Sequence, residues 1–311
     1  YIVAYIGQSY TFSAETDPAD ATVTWYYIKS GVKNELTGPY QPTAEDFFTL
    51  LCEATKDGYT LSKSFNVVVS KKTDAPLSVK QDNWVYGNDA PAPTYTPIDG
   101  YTAVVTYAAR DSEDFTETVP TNAGQYTVKV TVETPTTIYT GTDDFEITPK
   151  SVTVSGVTIL NKTYDGTTDA EVNNPGTLNG KLTTDSLSYT VKAEFEDKNA
   201  GETKPVTLSI TLTGASKDNY VLSNETQKTA KAMILQKDVV VTGVTATSRA
   251  YEAGNKTVSL SGGTVSPVCT GDNLTVELEK AKGEMATDTV GKNKPVTVTG
   301  VALGGSDKDN Y

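Results

Sequence analysis

Apolar and polar positions alternate along most of the chain. In "QYTVKVTVE", Tyr126, Val128, Val130 and Val132 fall on one side, and Thr127, Lys129, Thr131 and Glu133 on the other. "PVTLSITLTG" repeats the pattern, with Val206, Leu208, Ile210 and Leu212 against Thr207, Ser209, Thr211 and Thr213. Successive side chains of an extended chain point to opposite faces, so each segment is predicted to be a strand with one wet face. Threonine, valine and tyrosine dominate, as strands favour. Asp57-Gly58, Asp99-Gly100, Asp165-Gly166 and Asn179-Gly180 supply turns, because glycine accepts positive φ without steric cost. One stretch competes for helix. "TAEDFFTLLCEAT" opens with Thr43 and has Asp46 three residues later, like a capping box. It is read as a short helical turn followed by a strand that points Phe48, Leu50, Cys52 and Ala54 inward.

The pattern repeats on a larger scale. "SVTVSGVTILNKTYDG" from residue 151 aligns with "DVVVTGVTATSRAYEAG" from residue 238, and Tyr164 and Tyr251 lie 87 residues apart. "KPVT" at 204–207 returns at 294–297, 90 residues on, and "KDNY" at 217–220 returns at 308–311, 91 residues on. A tandem duplication is the direct reading. The slip from 90 to 91 falls at Gly300, where apolar positions change phase from Val296 and Val298 to Val301 and Leu303. One extra residue that flips the pleat predicts a β-bulge at Gly300-Val301, absent from the first copy. The first copy runs 17 residues from Tyr220 to Lys237, whereas the second stops at Tyr311. The second copy is therefore expected to lack its last strand and to expose a sheet edge. The chain also opens mid-strand on "YIVAYIG" and is read as part of something longer.

A looser relative precedes both copies. "NWVYGNDAP" sets Tyr86-Gly87 where the first copy has Tyr164-Asp165-Gly166, and "NAGQYTV" echoes "NAGETKPVT". The closing stretches "FEITPK" and "AMILQK" run straight into "SVTV" and "DVVV". Junctions this short favour a semi-rigid rod over beads on a flexible string. The expected domains are 1–72, 73–150, 151–237 and 238–311.

Composition narrows the chemistry. Lys and Arg number 26 against 39 Asp and Glu, a net charge of −13, and no basic cluster offsets it, so nucleic acid is a poor partner. Histidine is absent, which removes the commonest general base and metal ligand. Cys52 and Cys269 stand 217 residues apart and are placed in different domains, without a disulfide. The longest apolar runs are a few residues, too short for a transmembrane helix.

Each candidate site has a structural reading beside its functional one. Tyr164 is expected to pack in the core while Asp165-Gly166 makes a turn; the second copy keeps Tyr251 but loses the adjacent Asp and Gly. Lys217-Asp218-Asn219-Tyr220 offers side-chain oxygens to calcium, as do Asp307, Asp143 and Asp144, but fewer than the six to eight ligands that calcium takes. A turn bonded to its own backbone, with Tyr220 opening the last strand, is preferred. In "TWYYI", Trp25 and Tyr27 should face the core, which leaves Tyr26 alone outside and makes a poor platform for sugar. "FEDKNAGE" is rich in carboxylates but reads as a surface loop, without the cleft of a glycosidase. A stiffening Lys–Asn isopeptide bond could be imagined from Lys162 or Lys198 to Asn219. No catalytic, cofactor-binding or metal-binding residue is assigned.

Three resemblances bear on these segments. Residues 1–72, with "GQSYTFSAET", "ATVTWYYI", "FFTLLCEAT" and "SFNVVVSKK" as strands, resemble bacterial immunoglobulin-like sandwiches. Trp25, Asp46 and Cys52 have the spacing of that family, while Phe12 stands where the partner cysteine would be and Leu50 replaces the corner tyrosine. "TYDGTTDA", "FEDKNAGETKPVT" and "SKDNYVLS" in 151–237 resemble the YDG repeat domain of large bacterial cell-surface proteins. Residues 238–311 resemble it too, with Tyr251-Glu252-Ala253-Gly254 departing from the triplet. Residues 73–150, with "WVYGNDAPAPTY" and "YTGTDDFEITPK", are similar to the related MBG domain. The resemblance implies a secreted, surface- or wall-associated, multi-repeat protein without a reaction or cofactor. The expected function is a monomeric structural stalk of tandem β-sandwiches. The alternative is an adhesin that binds a host or cell-wall glycan or protein through residues 1–72.

Overall fold

A computed structural model describes residues 1–17 and 19–311. Its regular elements among these residues are β-strands and two single-turn 3₁₀ helices, so the chain is all-β. Contacts divide it into two compact units, Tyr1–Pro149 and Lys150–Tyr311.

The first unit opens with a five-stranded sheet in the order Ile2–Tyr5, Tyr59–Ser70, Asp46–Lys56, Thr22–Lys29, Val32–Glu35. Its core is Ala4, Phe48, Leu50, Val67 and Val69, with Trp25 and Tyr27 packed against them. Tyr26 lies on the other face, where the Lys33 ammonium sits 3.9 Å from its ring centroid. Phe12 packs on Trp25 at 5.5 Å between ring centroids. Two expectations are corrected. No helical turn precedes Phe48, because Asp46 already starts an eleven-residue strand paired along its whole length with Tyr59–Ser70. Pairing with Tyr59–Ser70 from Asp46 onward takes up backbone groups that a helical turn would have bonded within itself. The stretch "GQSYTFSAET" forms no strand either; it holds only the isolated bridge Tyr10–Tyr40, and lays Tyr10 and Phe12 over the core.

A second sheet in this unit runs Ala103–Ala109, Gly124–Glu133, Thr137–Thr148, Thr73–Pro76, with Trp84–Val85 on the end of the third strand. Val128, Val130 and Val132 are fully buried, as the alternation predicts, and Tyr126 stacks on Phe145 at 5.7 Å. Gly141 is a packing glycine: a Cβ there would meet the Leu77 carbonyl oxygen at 1.9 Å.

In the second unit, residues 150–235 form a five-stranded sheet, Lys162–Thr163, Thr229–Leu235, Gly201–Thr213, Ser188–Phe195, Asp169–Ala170, and a three-stranded one, Thr177–Asn179, Lys150–Ser155, Tyr220–Leu222. Val154 from the smaller sheet meets Phe195, Val206, Leu208, Ala232 and Ile234 from the larger. Lys217–Asn219 is a 3₁₀ turn, and Tyr220 is buried at the start of the next strand. That strand is not the last, since Thr229–Leu235 follows it in the other sheet.

The second copy breaks this plan at a definable place. The first copy pairs Ser188–Phe195 with Gly201–Thr213 in one ladder. Residues 238–311 split the equivalent hairpin into Thr275–Glu277 with Ala302–Gly304, and Lys282–Met285 with Val296–Thr299. Leu278 to Ala281 stand opposite Gly300-Val301 at the gap, and the Ala281 N–H closes a turn onto the Leu278 carbonyl. The predicted bulge is therefore corrected to a full interruption of the ladder. Gly300 supplies a φ of +75°, and a Cβ there would come within 2.8 Å of the Lys280 carbonyl oxygen. Among the described residues, 238–311 bury no large apolar side chain as deeply as the first copy does.

Candidate functional site

A buried polar cluster forms a joint between the two copies, centred on Asp272. Gly271, at φ +89°, turns the chain so that the Asp272 N–H donates to the Cys269 carbonyl. The Asp272 side chain is 0% exposed. Its Oδ2 accepts the Tyr164 and Tyr311 hydroxyls, each at 2.7 Å. Its Oδ1 accepts the Lys198 ammonium at 2.7 Å. Tyr311 in turn accepts the Cys269 N–H at 2.8 Å. The Tyr164 and Tyr311 rings meet edge to face at 5.4 Å.

Local structure aims each donor. Asp165 accepts the Thr167 N–H and the Lys162 ammonium, which fixes the Asp165-Gly166 turn beyond Tyr164. Gly166 stands close to the second copy: a Cβ there would touch the Cys269 Cβ at 3.4 Å. Asp197 accepts the Asn199 N–H and the Lys204 ammonium, so the Lys198 loop is braced from within. On the other side, the Lys308–Asn310 turn presents Asn310, which is 4% exposed. Its Oδ1 accepts the Ala200 N–H at 2.8 Å, its Nδ2 donates to Asn199, and its carbonyl accepts the Lys237 N–H.

Charge follows geometry. Burial works to raise the Asp272 carboxyl, but the Lys198 ammonium and the two tyrosine hydroxyls outweigh it and bring it down to about 2. The hydrogen bond to Asp272 pushes the Lys198 ammonium up. Burial first, and the same carboxylate second, push the Tyr164 and Tyr311 hydroxyls up. Three donors from both copies converge on this one carboxylate. Its chemistry is cohesion.

Half of this joint duplicates a clamp inside the first copy. There the Tyr220 hydroxyl donates to Asp185 at 2.5 Å and accepts the Leu182 N–H at 3.0 Å. Asp185 and Asp272 are 87 residues apart, as are Leu182 and Cys269. The Tyr of "KDNY" thus holds the Asp of "TTDSL" or "TGDNL" in its own copy, and Asp272 adds Tyr164 and Lys198 from the copy before.

The structure places the residues that the sequence singled out. Tyr164 is buried and Gly166 makes its turn. Tyr251 is 60% exposed here, whereas Tyr164 is 1% exposed. The "FEDKNAGE" stretch is not merely a surface loop, since Lys198, Asn199 and Ala200 contact the second copy. Lys162 and Lys198 are committed to carboxylates. Asp143 caps the Gln81 N–H, and Asp144 bonds Thr127. Among the described residues, no three of His, Cys, Asp or Glu converge as a metal site, and both cysteines are free. No helix there is long and apolar enough to cross a membrane.

Comparison with known proteins places part of this architecture. A Dscam isoform chain aligns at 17% identity over 47% of this chain and 42% of its own length, with a TM-score of 0.18. The three N-terminal domains of the outer capsid protein Hoc of bacteriophage RB49 align at 13% over 75% of this chain and 95% of theirs, with a TM-score of 0.24. The titin fragment I67–I69 aligns at 10% over 76% and 95%, with a TM-score of 0.22. This chain spans less than half the length of the Dscam chain. Superpositions this loose carry no argument about arrangement or function. No curated protein matches the sequence. The YDG domain model matches residues 148–230 and again 235–311, just over half of the chain. The two copies meeting at Asp272 are thus successive YDG domains, and the chain belongs to the YDG domain family.

Proposed function

We propose that the chain is a non-enzymatic structural segment, a spacer in a secreted bacterial surface protein that holds another module away from the cell wall. The observation that carries this reading is the Asp272 carboxylate, buried and filled by donors from both YDG domains. A spacer needs successive domains that do not swing, and a charge-assisted buried network at the junction resists swinging better than apolar contact alone, because its geometry is directional. Residues 73–150 fit the role as an MBG-like member of the same series. The segment acts as a monomer and without cofactor, nucleic acid or membrane span of its own. Backbone ¹⁵N relaxation of the full chain tests it. Residues 150–237 and 238–311 should tumble with one shared diffusion tensor; two independent tensors would overturn the spacer reading.

A second reading rests on a different observation. The hairpin of Asp46–Lys56 and Tyr59–Ser70 presents Tyr59, 82% exposed, and Leu61, 79% exposed, near its tip. An aromatic beside an aliphatic residue suits a glycan or protein partner of an adhesin. Glycan-array binding that Tyr59→Ser abolishes would favour this reading, and a blank array leaves the spacer.

A further inference from the structure

We propose that the loop residue at position 198 decides which neighbour a YDG domain accepts: a lysine there selects a domain that presents a buried carboxylate, and an acid there rejects it. The inference rests on the spacer reading and deepens it. From the loop between Phe195 and Val206, Lys198 bonds Asp272, while Asn199 and Ala200 bond Asn310. Of these three residues Lys198 alone brings a charge. Asp197 and Lys204, in the same loop, bond each other.

The second domain builds the same loop with a different residue at that place. Met285 faces Val296 in register as Phe195 faces Val206, with ten residues between them in each case, 286–295 and 196–205. Lys204 reaches back to Asp197, and its counterpart Lys294 reaches back to the carbonyl of the matching residue, Thr287, at 2.6 Å. Gly201 and Gly291 each lie against that lysine: an added Cβ would meet the Lys204 Cδ at 2.9 Å and the Lys294 Cδ at 3.4 Å. With length and brace kept, Lys198 corresponds to Asp288. Asp288 serves its own domain, where its Oδ2 accepts the Gly254 N–H at 3.0 Å.

Electrostatics makes this exchange decisive. The Asp272 side chain is 0% exposed, so water does little to screen it. An ammonium beside it is complementary. A second carboxylate in the same place sets like charges in a water-poor site, where one must take up a proton or the surfaces must part. Like-charge juxtaposition is a general means of excluding wrong partners. The Tyr164 and Tyr311 hydroxyls offer no relief, since both already donate to Asp272. The two domains are therefore not interchangeable in order: the loop with Lys198 accepts a neighbour of the Asp272 type, and the loop with Asp288 does not.

The test uses the 311-residue chain with substitutions at Lys198, which is 38% exposed. Lys198→Asp installs the second domain's residue, Lys198→Gln removes the charge but keeps a donor, and Lys198→Arg keeps the charge. Two amides of the loop report by hydrogen exchange. The Ala200 N–H crosses the joint to Asn310, whereas the Asn199 N–H bonds Asp197 within the loop. Protection of Ala200 should fall at least about tenfold further in Lys198→Asp than in Lys198→Gln, and stay within about threefold of wild type in Lys198→Arg. Protection of Asn199 should hold in all three. Equal protection of Ala200 in the Asp and Gln variants overturns the proposal. Equal loss at Asn199 overturns it too, since the loop rather than the joint would have opened. An unprotected Ala200 in the wild type would remove the joint itself and the spacer reading with it, whereas a protected wild type indifferent to Lys198→Asp sinks only the selection by residue 198.

Discussion

Replacing Asp272 removes the acceptor on which three donors converge. Asp272→Ala leaves the Tyr164 and Tyr311 hydroxyls and the Lys198 ammonium without their partner at 2.7 Å. Losing a charged acceptor of this kind costs about 1.5–3 kcal/mol, less than for a fully buried ion pair, because Lys198 is 38% exposed. Asp272→Asn keeps the shape and one oxygen but loses the charge. The carboxyl held at about 2 instead of its ordinary 3.8 corresponds to about 2 kcal/mol at neutral pH, which is the cost expected for Asn. The folded-state value is the lower one, so this contribution is complete above about pH 4 and fades as pH falls towards 2. The gap between wild type and Asp272→Asn should close over that window. Urea unfolding of the full chain measures it with an internal control. Trp25 and Trp84 both lie in residues 1–149, so tryptophan fluorescence reports the first unit and should not move. Tyrosine near-UV circular dichroism also reports the second unit and should show the loss. A shift below about 0.5 kcal/mol for Asp272→Ala, the ordinary range of a surface substitution, would refute the joint.

Other consequences follow from the same geometry. Lys198, Tyr164 and Tyr311 all have raised folded-state values, so their contribution is intact below about pH 10 and is lost as pH rises beyond it. Alkaline titration should narrow the stability gap between wild type and Asp272→Asn, and a gap that stays constant above about pH 10 would contradict this. Tyr164→Phe should cost about 1–2 kcal/mol, the price of an unsatisfied buried partner, while Tyr251→Ala, at an exposed position, should stay within about 0.5 kcal/mol; equal effects in thermal melts would show that the two tyrosines share a role. Gly141→Ala should cost about 3 kcal/mol or more, because its Cβ would overlap the Leu77 carbonyl and overpacking of backbone has no cheap relief. A wild-type melting curve by tryptophan fluorescence would sink that packing account.

Much of the fold is legible in the sequence, because alternation is a local property. Val128, Val130, Val132, Val206 and Leu208 fall inside as the period of two requires. Thr43 and Asp46 mislead, since a cap signal three residues long competes with a ladder of eleven residues and loses. The joint was not legible in this way. Tyr164 and Asp272 are 108 residues apart and Lys198 and Asp272 74, and both Lys198 and Asp272 sit in loops where periodicity is silent. Charged loop residues ordinarily mean a solvated surface, so "FEDKNAGE" gave no sign of burial. The available signal was positional: "TTDSL" and "TGDNL" recur 87 residues apart, alongside the recurring "KDNY". Tyr251 shows the limit of such reasoning. It matches Tyr164 in sequence position yet is 60% exposed where Tyr164 is 1% exposed, because burial of Tyr164 comes from residues far along the chain.

The central claim is that an interaction across the joint holds the two YDG domains as one body. A double-mutant cycle of Tyr164→Phe and Asp272→Asn measures that interaction directly, because each residue belongs to a different domain. Directly bonded partners in a buried network couple by about 0.5–3 kcal/mol, and this pair should show at least about 1 kcal/mol at neutral pH. Strict additivity of the two single effects would contradict the account.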